Sequence, residues 1–115
     1  MWAGQFSACG NVVKPPSWVA SHRIVSVFPN LNTPSNGIPA LALHDLCLKS
    51  QAGKTIVVTV LDECLDSDCN GCCTRNKGGA QELIDIESYT NDQWGVADAP
   101  IQWADLGPTR GSGCQ

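Results

Sequence analysis

A chain of 115 residues with 7 Lys and Arg against 11 Asp and Glu has a net charge of −4. It fits one compact domain, residues 1–115, and offers no basic stripe to meet phosphates or anionic lipid, which argues against nucleic-acid and membrane partners. No apolar run approaches the ~18 residues of a membrane span.

Trp2 to Ala8 reads as a first strand closing on Cys9-Gly10, and Met1-Trp2-Ala3 leads into it without the pattern of a signal peptide. Lys14-Pro15-Pro16-Ser17 is a loop. Ile24 to Phe28 is a second strand, with Trp18 to Ser21 leading into it. Prolines, asparagines and Gly37 make Pro29 to Pro39 irregular. Ala40 to Leu46 is a short helix or extended segment. Cys47-Leu48-Lys49 begins a strand that turns through Gln51 to Lys54 into Thr55 to Leu61, a β-hairpin. The β-branched run Thr55 to Val60 predicts a strand covered on both faces. Thr74 to Gly79 is polar. Leu83 to Ile86 is a short strand, and Glu87-Ser88 starts a helix through Gln93 that Gly95 ends. Ala99 to Leu106 is the last strand, with Ile101 and Trp103 on one face. Gly107 to Gln115 is a tail, anchored only if Cys114 is bridged.

The chain is therefore mostly β with one or two short helices. A small closed barrel would remove the edges of such a sheet. Cys9, Cys47, Cys64, Cys69, Cys72, Cys73 and Cys114 form a disulfide framework of an oxidising compartment, hence a secreted, extracellular protein. Seven cysteines leave one unpaired, and about 105 arrangements exist. Cys69-x2-Cys72 has the spacing of a zinc site, but so many cysteines in an acidic domain favour disulfide staples, and no metal or cofactor is expected. Adjacent Cys72 and Cys73 should take different partners. Asp62, Asp66, Asp68 and Asn70 lack a complete EF-hand pattern and read as a solvated acidic loop.

Phe6 to Cys9-Gly10, Cys47-Leu48, Gly53 to Cys64, Leu83 to Ile86, Gly95-Val96 and Ile101-Gln102-Trp103 occur in an order that resembles the six-stranded double-psi β-barrel of the expansin, barwin and kiwellin-like group. The resemblance covers residues 5 to 104. The same barrel carries family-45 endoglucanases and bacterial lytic transglycosylases, whose chemistry needs an acid and a base about a glycosidic bond. It implies that Asp85 in Leu83-Ile84-Asp85 matches the general acid, although leucine stands where expansins have histidine. The region of the endoglucanase base holds Gln5, Ser7 and Asn11, with no acid before Asp45. Asn11 could orient a water there.

Asp62 closes the central strand, either as a glycan acceptor or as a structural acid binding backbone amides, and the structural reading is preferred. Leu83, Ile84 and Ile86 are expected to desolvate Asp85. Trp18 and Trp94, beside loops, are candidates for stacking on sugar rings, with Tyr89 flanking the groove. Trp2 and Trp103 read as core. His44-Asp45 reads as a surface pair. The resemblance implies an expansin-like domain binding cell-wall polysaccharide (cellulose, chitin or peptidoglycan) with little or no hydrolysis. The alternatives are a weak endoglucanase or lytic transglycosylase using Asp85, and a kiwellin-like or barwin-like defence or effector protein with a protein partner.

Overall fold

The structure, a computed structural model, describes residues 5–29, 31–34 and 38–115. Trp2 to Gly4 of the predicted first strand, with the expected core residue Trp2, lie outside the described residues. Ser7–Cys9, however, form a 3-10 turn rather than a strand, ended by Gly10 at φ 73°. Pro16–Ala20 is a short helix, α1, where the sequence suggested a lead-in to a strand; Pro16 stands at its first turn, where a missing N–H costs nothing.

Ile24–Phe28 (β1), His44–Lys49 (β2) and Thr55–Glu63 (β3) follow. Then come two helices, Asp66–Cys69 (α2) and Cys72–Lys77 (α3), the strand Leu83–Ile86 (β4), the helix Ser88–Trp94 (α4) and the strand Gln102–Pro108 (β5). The five strands form one mixed sheet in the order β4-β1-β3-β2-β5. β1 and β3 are parallel, and every other pair is antiparallel. The expected hairpin is present, with Lys49 opposite Thr55 and Cys47 opposite Val57. Six strands closing a barrel are not seen among the described residues: β4 and β5 stand at opposite edges of an open sheet.

The main core lies on one face of the sheet. Val25, Val27, Leu46, Leu48, Ile56, Val58 and Val60 meet Leu31, Leu41 and Trp94 there, with Ile84, Ile86, Ile101 and Trp103 packed at its margin. A second cluster of Phe6, Val19, Ile24 and Leu61 fills the other face. β1 is buried along both faces from Ile24 to Val27, as suits a strand between two neighbours and two cores. The Thr55 to Val60 run departs from its expected two-sided burial. It alternates, with Val57 45 % exposed and Ile56, Val58 and Val60 inside. Both faces of β3 become covered only at Leu61 and Asp62.

The change coincides with a bulge. Val25 faces Val60 but Ser26 faces Asp62, so Leu61 is the extra residue of β3. A bulge re-aims the side chains beyond it. Val60 stays in the main core, Leu61 joins the second cluster, and Asp62 takes the position beside Ser26. Ser26 also faces Asp85 on β4, so Asp62, Ser26 and Asp85 form one row across three strands.

Three disulfides link Cys9 to Cys114, Cys64 to Cys73 and Cys69 to Cys72, and Cys47 is free. Cys72 and Cys73 thus have different partners. The C-terminal tail is tied down by Cys114, by Lys14 Nζ donating to the Cys114 carbonyl at 2.7 Å, and by Thr109 N donating to Leu43 O at 2.7 Å. No helix among the described residues is long and apolar enough to cross a membrane.

Candidate functional site

The bulge delivers two successive carboxyls, Asp62 and Glu63, to the end of β3. Asp62 is 9 % exposed, and a buried carboxylate needs donors. Its Oδ1 accepts from Ser7 N at 3.2 Å, Ser7 Oγ at 2.8 Å and Glu63 N at 2.9 Å. These bonds tie the turn at Ser7–Cys9 to the end of β3. They are also a tertiary reason why Ser7 turns instead of continuing a strand. All three fall on Oδ1; Oδ2 takes none of them.

An open cleft of about 330 Å³ lies beside Asp62, lined by Gln5, Asn11, Glu63, Leu65 and Asp68. Asn11 sits at its rim with φ 57°, a left-handed conformation that asparagine tolerates better than most residues. Burial, and secondly the neighbouring Asp62 charge, push the Glu63 carboxyl above its ordinary 4.5. The cleft thus combines carboxylate acceptors, two side-chain amides and one apolar side chain. Such a set can hydrogen-bond hydroxyls while resting a ring against Leu65.

The structure brings Asp62 and Asn11 together, but it disperses the other expected site residues. Asp85 is exposed on β4 and is not covered by its apolar neighbours; Ile84 and Ile86 pack against the main core. Asp85 shares a row with Asp62 but does not line the cleft. Tyr89 is 43 % exposed in the first turn of α4, also away from the cleft lining. Trp94 is 2 % exposed and belongs to the main core, so its indole presents no face to a sugar. Trp18 stacks on the His22 ring at 3.7 Å, with Lys14 Nζ 4.9 Å from its centroid. It braces the second cluster rather than a groove.

His44 and Asp45 do not act as a pair. Neighbours on a strand point to opposite faces. His44 Nδ1 lies 2.9 Å from Asp105 Oδ1, while Asp45 accepts from Thr59 Oγ1 at 2.7 Å and Arg110 N at 3.2 Å. Glu63, Leu65, Gln5 and Asp68 line the cleft without having been singled out as site residues. Adjacency to Asp62 at a strand end was the available signal for Glu63. The bulge that turns both acids toward one cleft has no signature in the residues.

In the loop after β3, Cys64, Cys72 and Cys73 sulfurs lie within 4.8 Å of one another. In the disulfide form these sulfurs are not thiolates and hold no metal. No family model, curated protein or solved structure matches the chain.

Proposed function

We propose that this chain is a secreted, expansin-like domain that binds cell-wall polysaccharide in an open cleft, with little or no hydrolysis. The observation carrying this reading is the cleft itself, in which Asn11, Asp62, Glu63 and Asp68 surround Leu65. The row Asp62, Ser26, Asp85 adds support. It sets the two acids two strand spacings apart, about 10 Å between backbones, so that a chain of sugars could meet both. The six-stranded double-psi barrel belongs to the same proposal, and the parallel β1–β3 pair inside an otherwise antiparallel sheet is what favours it.

The test is NMR titration with soluble oligomers of glucose, of N-acetylglucosamine and of peptidoglycan glycan, alongside sedimentation with the polymers. Amide shifts at Gln5, Asn11 and Asp68, reduced in Asn11→Ala, are expected. Absence of binding to all three would remove the reading.

One observation favours slow cleavage as a second reading. Burial raises the Glu63 carboxyl, the direction a general acid needs, and Glu63 lies in the cleft where Asp85 does not. Reducing ends or anhydro-sugars that vanish in Glu63→Gln would establish it. Product surviving in Glu63→Gln but not in Asp85→Asn would return the acid role to Asp85.

A further inference from the structure

Four cysteines converge in the loop beyond β3. Cys64 is anchored to the sheet, its N–H donating to Val27 O at 3.0 Å. Cys69 ends α2, and Cys72 and Cys73 open α3. Cys73 is fully buried. Its sulfur lies 4.0 Å from that of Cys69 and 3.9 Å from that of Cys72, neither of which is its disulfide partner. Four sulfurs around one zinc, each about 2.3 Å from the metal, stand about 3.8 Å apart. Two of the four non-bonded spacings, both from Cys73, are already close to that value, and the Cys64 sulfur lies within 4.8 Å of that of Cys72.

The loop has a scaffold that does not depend on the disulfides. The Asp66 carboxylate accepts from Thr74 N at 2.9 Å and from the Thr74 hydroxyl, joining α2 to α3. Gly71 N donates to Asp66 O at 2.9 Å, and the Arg75 guanidinium donates to Asn70 O at 2.7 Å. These contacts join the two helices through nitrogen and oxygen atoms, in addition to the sulfur bridges. Asp66 is committed to Thr74, which leaves the sulfurs as the ligands.

We propose that Cys64, Cys69, Cys72 and Cys73 form a soft-metal site when reduced, so that the loop exchanges two disulfides for one tetrathiolate zinc or similar ion. The balance is simple. A dithiol or phosphine supplies two electrons per bridge, two bridges become four thiols, and one divalent metal displaces four protons as it takes four thiolates. A dithiol leaves as its own disulfide, its two protons passing to the new thiols; a phosphine leaves as its oxide, one water per bridge supplying the oxygen and both thiol protons. Cys47 and the Cys9–Cys114 pair take no part. The proposal does not rest on glycan binding, although Leu65 and Asp68 of the same loop line the cleft, and either reading can fail alone.

The experiment uses the full chain, reduced with a water-soluble phosphine and titrated with Co²⁺ as a spectroscopic probe. One Co²⁺ per chain with sulfur-to-metal charge transfer and tetrahedral d–d bands is expected, bleached by Zn²⁺. The same spectrum is expected in Cys47→Ser and in Cys9→Ser/Cys114→Ser. Cys73→Ser should lose it. Exposed-side Cys69→Ser, less exposed to folding failure than the buried position, should shift the bands and weaken binding. No thiolate spectrum in the reduced chain overturns the proposal. So does an unchanged spectrum in Cys69→Ser, loss of the spectrum in Cys47→Ser, or the same spectrum from the oxidised chain.

Discussion

The sheet and the cysteine loop at its edge are held by different forces. From Ile24 to Val60 the strands put aliphatic side chains into two clusters. From Cys64 to Ala80 only Cys73 is buried, and that stretch is held by two disulfides and by polar contacts of Asp66, Thr74, Asn70 and Arg75. Burial is non-directional and summed over many contacts, whereas a bridge or a charged hydrogen bond is a single point. Solvent conditions should therefore act on the two regions separately. Redox state and acid should reach the loop first, and cavity-forming substitutions the sheet.

The sharpest break of that comparison is in the core. Trp94→Ala removes the largest side chain of the main cluster and should destabilise by about 3–5 kcal/mol, read by chemical denaturation. Trp94→Phe should cost much less, because the Trp94 Nε1–H is buried and meets no acceptor among the described residues. Equal losses in both variants would mean that the indole nitrogen has a partner.

Next is the one covalent link that spans the fold. Cys9–Cys114 joins positions 105 residues apart. Opening it in Cys9→Ser/Cys114→Ser should cost about 2–5 kcal/mol. The Cys69–Cys72 bridge closes a loop of separation 3 and should matter far less to global unfolding. A larger loss in Cys69→Ser/Cys72→Ser than in the long-loop variant would show that the loop, not the tail, is the structural staple.

Much of the sheet was legible in the residues, and the loops were not. Leu83–Ile86 has the strand bounds expected of it, because a short apolar run is closed by Glu87-Ser88. α4 begins with Glu87 accepting from Tyr89 N at 2.8 Å and ends at Gly95 with φ 67°. Both are short-range signals. The burial of Trp94 was also readable in principle. Thr90 and Trp94 are four apart on one helix face, and Thr90 Oγ1 accepts from Ile24 N at 2.8 Å. α2 and α3 span four and six residues, too short for any periodicity, and tertiary bridges and polar contacts hold them together. The odd cysteine is Cys47, on an outward position of β2 opposite Val57, which only strand register could reveal. In the cleft, Asp62 and Asn11 were among the expected residues. Glu63 was not, because its placement follows from the Leu61 bulge and not from spacing.

At the junction of the two regions, Asp62→Ala leaves Ser7 N and Glu63 N without their acceptor. The expected loss is about 1–3 kcal/mol by denaturation. Asp62→Asn, which keeps an oxygen, should recover part of it. Full retention of stability in Asp62→Ala would mean that the Ser7 turn is held by its own backbone bonds and Cys9–Cys114.

Acid should separate the regions more gently. The Thr74 hydroxyl first, and its backbone N–H second, hold the Asp66 carboxyl below its ordinary 3.8. A depressed folded value means stability present above 3.8 and lost as pH falls through the folded value. Glu63 has the opposite sign: its carboxyl is raised above 4.5, so its contribution is full below 4.5 and lost as pH rises through the folded value. Amide protection near Thr74, taken relative to the intrinsic exchange rate at each pH, should therefore fall in acid. Glu63→Gln should flatten the decline of stability above 4.5. An acid response at Thr74 that persists in Asp66→Asn would assign it to another group.

The smallest expected effect on stability is at Asp85, and it is the most informative about function. Asp85 is exposed, with no hydrogen bond donated to its carboxylate among the described residues, so Asp85→Ala should change unfolding by no more than about 0.5 kcal/mol. Asp62 shares its row through Ser26 and has three donors on one oxygen. The two acids should thus give opposite profiles if a glycan runs along the row: Asp62→Ala loses stability, while Asp85→Ala keeps stability and loses retention on polysaccharide. Unchanged retention in Asp85→Ala, with loss in Asn11→Ala, would confine the binding surface to the cleft. A destabilised Asp85→Ala would instead give Asp85 a structural partner and take it out of the glycan-binding proposal.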